Sequence, residues 1–185
     1  MKLKNLALSV LVGSSLAWAG VGMAQPQPAA PAPAQQQKLD GDDQDFLENA
    51  AQAGHAEIEG SKMAQAKAKS ADVKQFAERM IADHTKVGEE LAALASSKGY
   101  TPPAEPSLVQ KAKLKTLDMT DDSFDKMYAS QIGVSAHEDA VKLFQDAANG
   151  AKDPDIKAFA ARTLPSLQEH LKMAQELRQK VDPGK

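Results

Sequence analysis

The sequence predicts an all-α domain: a four-helix bundle with a short extra helix in the long connection between its second and third helices. Three observations predict it. Apolar residues recur three and four apart over four long stretches, most clearly at Val73, Phe76, Ala77, Met80, Val87, Leu91 and Leu94, which share one face of a helix. The stretches are separated by helix-stopping and helix-starting residues: Ser70 to Asp72, Gly99 followed by Pro102, Pro103 and Pro106, and Gly150 to Pro154. Aromatic residues make up only 4% and alanine is abundant, a composition suited to helices that approach one another closely.

The chain of 185 residues suffices for one domain. Its start has the grammar of a secretory signal peptide: Lys2 and Lys4, an apolar run from Leu6 to Trp18, and small residues at Ala17-Trp18-Ala19 and Gly22-Met23-Ala24. Residues 1–24 are expected to be that peptide. The rival reading is an uncleaved anchor, for which the run is short and broken by Gly13, Ser14 and Ser15. Residues 25–40, almost entirely Gln, Pro and Ala at first, are expected to be a disordered linker, because they offer too little apolar surface to offset the entropy of ordering. Residues 41–182 form the expected helical domain. Cleavage would remove two of 22 basic residues and none of 25 acidic ones, leaving a net charge of −5. An acidic surface argues against nucleic acid as a principal partner. The absence of cysteine excludes disulfides, thiolate nucleophiles and thiolate metal sites. The expected location is periplasmic or otherwise extracytoplasmic, with no membrane span after processing and no specified protein partner.

Helix one is expected over about 42–69, with Asp42, Asp43 and Asp45 at the positive end of its dipole and an inward stripe Phe46, Leu47, Ala50, Ala53 or Gly54, Glu57, Ser61, Ala64. Helix two follows to Lys98. Helix three runs from about Asp121 to Asn149, its stripe Met127, Val134, His137, Val141, Phe144, Ala148. Helix four opens with the cap Asp153 and Pro154 at the first helical position, and carries Ile156, Phe159, Ala160, Thr163, Leu167, His170, Ala174, Leu177 and Val181 inward. Pro165 inside it is expected to produce a kink. Residues 72–79 (DVKQFAER) echo 155–162 (DIKAFAAR), as a duplicated helix pair would, or as Ala- and Lys-rich helices do by chance.

Each helix carries one histidine near mid-length. Counted from the turns at about 1.5 Å per residue, Glu57, His84 and His137 fall at similar depth on the inward stripes, and His170 three or four residues away, an offset of about 5 Å. The candidate metal ligands are therefore Glu57, His84, His137 and His170, with His55 and Glu138 placed to support them from the flank. Three imidazoles and a carboxylate suit one Zn, Cu or Fe ion, and Met80 and Met173 are neighbours soft enough for copper. The blander reading is a buried polar network. Asp83 and Glu169, beside His84 and His170, are expected to face water.

Phe76-Ala77-x-x-Met80-x-x-Asp83-His84, Phe124-Asp125 followed by His137, Leu164-Pro165-x-Leu167-x-x-His170, and Ala56-Glu57-x-Glu59-Gly60 together resemble the ferritin-like family called domain of unknown function 4142. The resemblance covers about residues 42–180 and implies a secreted bacterial ferritin-like bundle, without implying an activity. A ferritin-type di-iron site is not expected: it needs Glu-x-x-His pairs, and Ile81, Val134 and Leu167 stand three residues before the histidines. No nucleophile elbow or phosphate loop is present, and no catalytic residue is proposed. Two functional classes follow: an exported metal-handling or stress-protective bundle, or a non-catalytic structural or interaction module.

Overall fold

The computed structural model describes residues 39–184; the expected signal peptide and residues 25–38 of the linker lie outside them. The described residues contain helices and no strand, as the periodicity requires. Helix α1 spans Gly41–Lys67 and is capped by the Asp40 carboxylate, which accepts the Asp42 N–H. Leu39, just before that cap, is buried, so the packed domain reaches into the stretch expected to be linker. Helix α2 spans Ala71–Ser97 with Ser70 as its cap. It ends at Gly99, whose φ of 72° only glycine adopts freely. Tyr100 N–H donates to the Ala95 carbonyl and Gly99 N–H to that of Ser96, which closes the end as a Schellman motif.

The short helix in the connection, α3 (Leu108–Asp118), starts in a reciprocal capping box between Ser107 and Gln110. Helix α4 (Phe124–Tyr128) passes without a break through a π-helical segment, Ala129–Ser135, into α5 (Ala136–Gly150). Together they make the third long helix, expected as uniform α. Helix α6 (Pro154–Val181) is capped by Asp153 and continues through Pro165 without interruption. No helix among the described residues is long and apolar enough to cross a membrane.

The ion pairs at the ends give the topology. Lys98, after α2, pairs with Asp153 and Asp155 at the start of α6, and Lys152, after α5, reaches Asp40 at the start of α1. At the opposite end Lys69, after α1, meets Asp122 before α4, and Lys180 late in α6 meets Asp72 at the start of α2. So α2 ends at one end of the bundle and α4 begins at the other, and the connection through α3 crosses its full length. Helix α2 and the α4–α5 rod are parallel neighbours in sequence, which is the ferritin-like crossover arrangement.

Two buried or half-buried aspartates tie the helix pairs together. Asp43 in α1 accepts the N–H groups of Lys152 and Asp153 in the α5–α6 turn, at 3.1 and 2.8 Å. Asp125 in α4 accepts those of Lys69 and Ser70 in the α1–α2 turn, at 3.2 and 2.8 Å. The sequence echo between 72–79 and 155–162 thus has a counterpart in space: each pair's turn is closed by a carboxylate of the other pair.

Small residues set the helix spacing. A Cβ built on Gly60 would lie 2.9 Å from Ile132 Cγ1, and one on Gly133 3.2 Å from the Ala174 Cβ. Gly60→Ala should therefore destabilise the fold by about 1–3 kcal/mol, since overpacking outweighs the roughly 1 kcal/mol that alanine gains over glycine in a helix. Thermal or urea midpoints measure this, and an unchanged midpoint would mean that Ile132 turns aside at no cost.

Candidate metal centre

The apolar core is split in two. One cluster gathers Val73, Phe76, Met80, Leu117, Phe124 and Tyr128; the other gathers Phe46, Leu47, Leu91, Phe144, Ile156 and Phe159. Between them lies a polar layer from four helices: Glu57, His84, His137 and His170, all buried. The ring centroids of the three histidines are 5.3, 5.4 and 5.6 Å apart, and one ring nitrogen of each lies within 4.8 Å of one from each of the others.

The expected offset of His170 is closed by side-chain direction. A helical side chain leans toward its own N-terminus. Helices α5 and α6 are antiparallel, so His137 and His170 lean toward one another along the bundle axis and meet. The kink expected at Pro165 is not needed.

Each imidazole has one nitrogen committed to an acceptor. His84 Nδ1 lies 3.0 Å from Glu57 Oε2. His137 Nδ1 lies 3.1 Å from the Ile132 carbonyl, five residues back in the π-helical segment. His170 Nε2 lies 2.9 Å from Asp83 Oδ2. A carbonyl only accepts, so His137 carries a proton on Nδ1, and in a neutral ring Nε2 is then the free acceptor. A carboxylate at the same role on His84 and on His170 leaves His84 Nε2 and His170 Nδ1 bare. His84 Nε2 and His137 Nε2 face one another at 3.3 Å, and His170 Nδ1 is buried with no hydrogen-bond partner.

Burial pushes the pKa of His84 below its ordinary value; the Glu57 carboxylate opposes this and His137 adds to it. Burial likewise lowers that of His170, against the hydrogen bond to Asp83. Both rings are thus held in the neutral form. Burial alone would raise the Asp83 carboxyl, but hydrogen bonds from His170 and Arg79 hold it below the usual range.

The remaining expected site residues divide. Glu57 touches imidazole Nδ1 atoms, with Oε1 also 3.8 Å from His137 Nδ1, so it stands behind the rings. His55 is half-buried on α1, and Glu138 is exposed at the start of α5. Met80 is buried in the first apolar cluster and Met173 packs against it. Asp83, expected to face water, is 39% exposed yet bonded to His170 and to Arg79 Nε at 3.3 Å; Arg79 also holds Glu169 at 3.0 Å. The sequence reading missed this role for Asp83, and the Ile132 carbonyl as well. A signal for the latter is present: the buried residues Phe124, Tyr128 and Ile132 are four apart, and His137 comes five later. A step of five is the mark of one π turn. Tyr128, rather than the expected Met127, faces inward, where its hydroxyl bonds Ser61 Oγ at 2.9 Å.

The model of the family described as "Domain of unknown function (DUF4142)" matches residues 28–177. The chain belongs to that family. No curated protein matches this DUF4142 sequence. Among solved structures, its fold is similar to a DUF305 fragment from Deinococcus radiodurans (TM-score 0.67, 10% identity, 78% of this chain and 99% of that one). It is similar also to CopM in the Cu(I)-bound form (TM-score 0.64, 21% identity, 75% and 96%). A third is rv2844, a conserved hypothetical protein from Mycobacterium tuberculosis (TM-score 0.60, 19% identity, 74% and 90%). At these identities the likeness is one of fold.

Proposed function

We propose that this DUF4142 protein binds one transition-metal ion between His84 Nε2, His137 Nε2 and His170 Nδ1, and serves in metal handling or protection outside the cytoplasm. The observation that carries this is the pair of Nε2 atoms 3.3 Å apart, on two rings whose Nδ1 atoms each face an acceptor. Two lone pairs at that separation repel unless a proton or a metal ion lies between them, and a metal ion can also engage the third imidazole. Two imidazole nitrogens bound at 2.0–2.1 Å to one tetrahedral ion are about 3.3–3.5 Å apart. The third imidazole has a ring nitrogen within 4.8 Å of the others, so the set closes with a shift of up to about 1.5 Å. Glu57, the Ile132 carbonyl and Asp83 would fix the tautomers and ring orientations, the role that outer carboxylates and carbonyls have around metal-bound histidine.

An all-nitrogen set without thiolate suits copper or zinc. That CopM has been captured in Cu(I)-, Cu(II)- and Ag-bound forms on a similar fold supports copper. The charged start and apolar run of residues 1–24 support export. Titration of the purified domain with Cu(I), Cu(II), Ag(I) and Zn(II) tests the reading. At least one should bind one to one and raise the melting temperature in proportion to ln(1 + [L]/Kd). If none raises it at millimolar concentration, the polar layer is a structural network only.

A further inference from the structure

Helix α3 has two apolar faces. Leu114 and Leu117 are buried in the first core cluster, where α3 packs on α1 and α4. On the opposite side Leu108, Ala112, Lys115 and Met119 recur four, three and four residues apart, so they share an outward stripe, with Val109 on its flank. Leu108 is 85% exposed, Met119 77% and Val109 67%, and the exposed large apolar side chains among the described residues are these three. Gathered on one short element rather than scattered singly, they mark a contact surface. The same face is basic. Between Glu105 and Asp118 the chain has Lys111, Lys113 and Lys115, all exposed, and no acid. Lys111 pairs with Glu105, and Asp118 with Lys67 of α1. Lys113 and Lys115 have no acidic partner among the described residues.

We infer that the outward face of α3 docks on the surface of a lipid bilayer that carries anionic headgroups. A single convex helix offers no groove to hold a peptide, whereas a bilayer surface needs only side chains that enter it. Leu108, Val109 and Met119 reach the acyl boundary, while the lysine stems lie along it and their ammonium groups meet the headgroup phosphates. Charge argues against a second copy on this face. In a face-to-face pair the lysines of one α3 would meet those of the other, with no acid between them. The acidic balance of the whole chain does not oppose the contact, because charges farther from the surface than a Debye length of about 8–10 Å are largely screened. The histidine layer takes no part, so the surface can be tested on metal-free protein.

Residues 25–185 keep every helix of the bundle, lack the apolar run Leu6–Trp18 and contain no tryptophan. Leu108→Trp in that chain therefore places a single reporter on α3. Its emission should move to shorter wavelength with vesicles of equal parts phosphatidylglycerol and phosphatidylcholine, and not with phosphatidylcholine alone. The shift should reverse at about 1 M salt, where the Debye length is about 3 Å. Flotation of the unsubstituted chain with the same vesicles should follow the same pattern. Lys113→Glu/Lys115→Glu should weaken binding by more than about tenfold, from the contribution of each lysine near an anionic surface. Leu108→Ser/Met119→Ser should weaken it as well. These positions are exposed, so circular dichroism should show the bundle intact in both variants. Lys157→Glu/Lys172→Glu makes the same charge change on exposed positions of α6 and should weaken binding far less. Absence of binding to the anionic vesicles, equal binding to the neutral ones, or binding unchanged in either α3 variant would overturn the surface. So would an equal loss in the α6 variant, which would trace binding to net charge, or a dimer that Leu108→Ser/Met119→Ser dissociates, which would give the face to a second copy.

Discussion

His84→Ala should lower the affinity for Cu(I) by more than about 100-fold, measured by competition with a chromophoric chelator under reducing conditions, while circular dichroism still shows a helical protein. Loss of an outer partner of a metal-bound histidine typically costs 10–100-fold, and loss of the ligand itself costs more. His84 is at the centre of the arrangement, with Glu57 on one nitrogen and His137 on the other. Asp83→Asn should fall in the 10–100-fold range, because Asp83 orients His170. Glu57→Gln keeps an acceptor for His84 Nδ1–H and should cost about tenfold if Glu57 orients, and far more if its carboxylate is itself a ligand. Glu138→Gln, at an exposed position, should change nothing. A His84→Ala protein that keeps native affinity would remove the site.

Metal-free protein should lose stability as pH falls below about 6.5, the ordinary histidine pKa. His84 and His170 both have folded pKa values below their unfolded ones. Between the two values the unfolded chain binds more protons than the folded one, so stability rises with pH there and is lost on acidification. Each such proton contributes a limiting slope of about 1.4 kcal/mol per pH unit, so the two together give at most about 2.7. Urea midpoints from pH 7.5 to pH 5 measure it. With metal the fall should be steeper, since protons compete for the same nitrogens. A midpoint that is flat over this range would show that the histidines titrate as freely in the fold as out of it.

The helices and the histidine layer were legible because both depend on local periodicity and on counting from turns. The inward stripe of α6, from Ile156 to Leu177, is buried as expected. The roles of Asp43, Asp83 and Asp125 were not legible. An acidic residue near a helix start reads as a dipole or capping group, and only the tertiary arrangement shows that Asp43 reaches a turn 109 residues away. The stripe on the third helix was misread near its start for a related reason. A regular 3.6-residue repeat traced back from His137 runs through Val134 to Met127, whereas the π segment inserts one residue and turns Tyr128 inward. The crossover was open in the sequence, since 22 residues between Gly99 and Thr120 can either reverse or span the bundle.

The reciprocal aspartates give the domain a particular kind of wholeness. Neither helical hairpin holds the carboxylate that satisfies its own turn: Asp43 serves the second hairpin and Asp125 serves the first. A hairpin cut out of the chain would expose backbone N–H groups that the intact fold pairs, so the halves are expected to unfold together rather than in succession. The exchange is also what an isologous contact looks like, in which each partner gives the other the same group at the same place. Two hairpins of one kind, meeting about a twofold axis, would make this contact twice over.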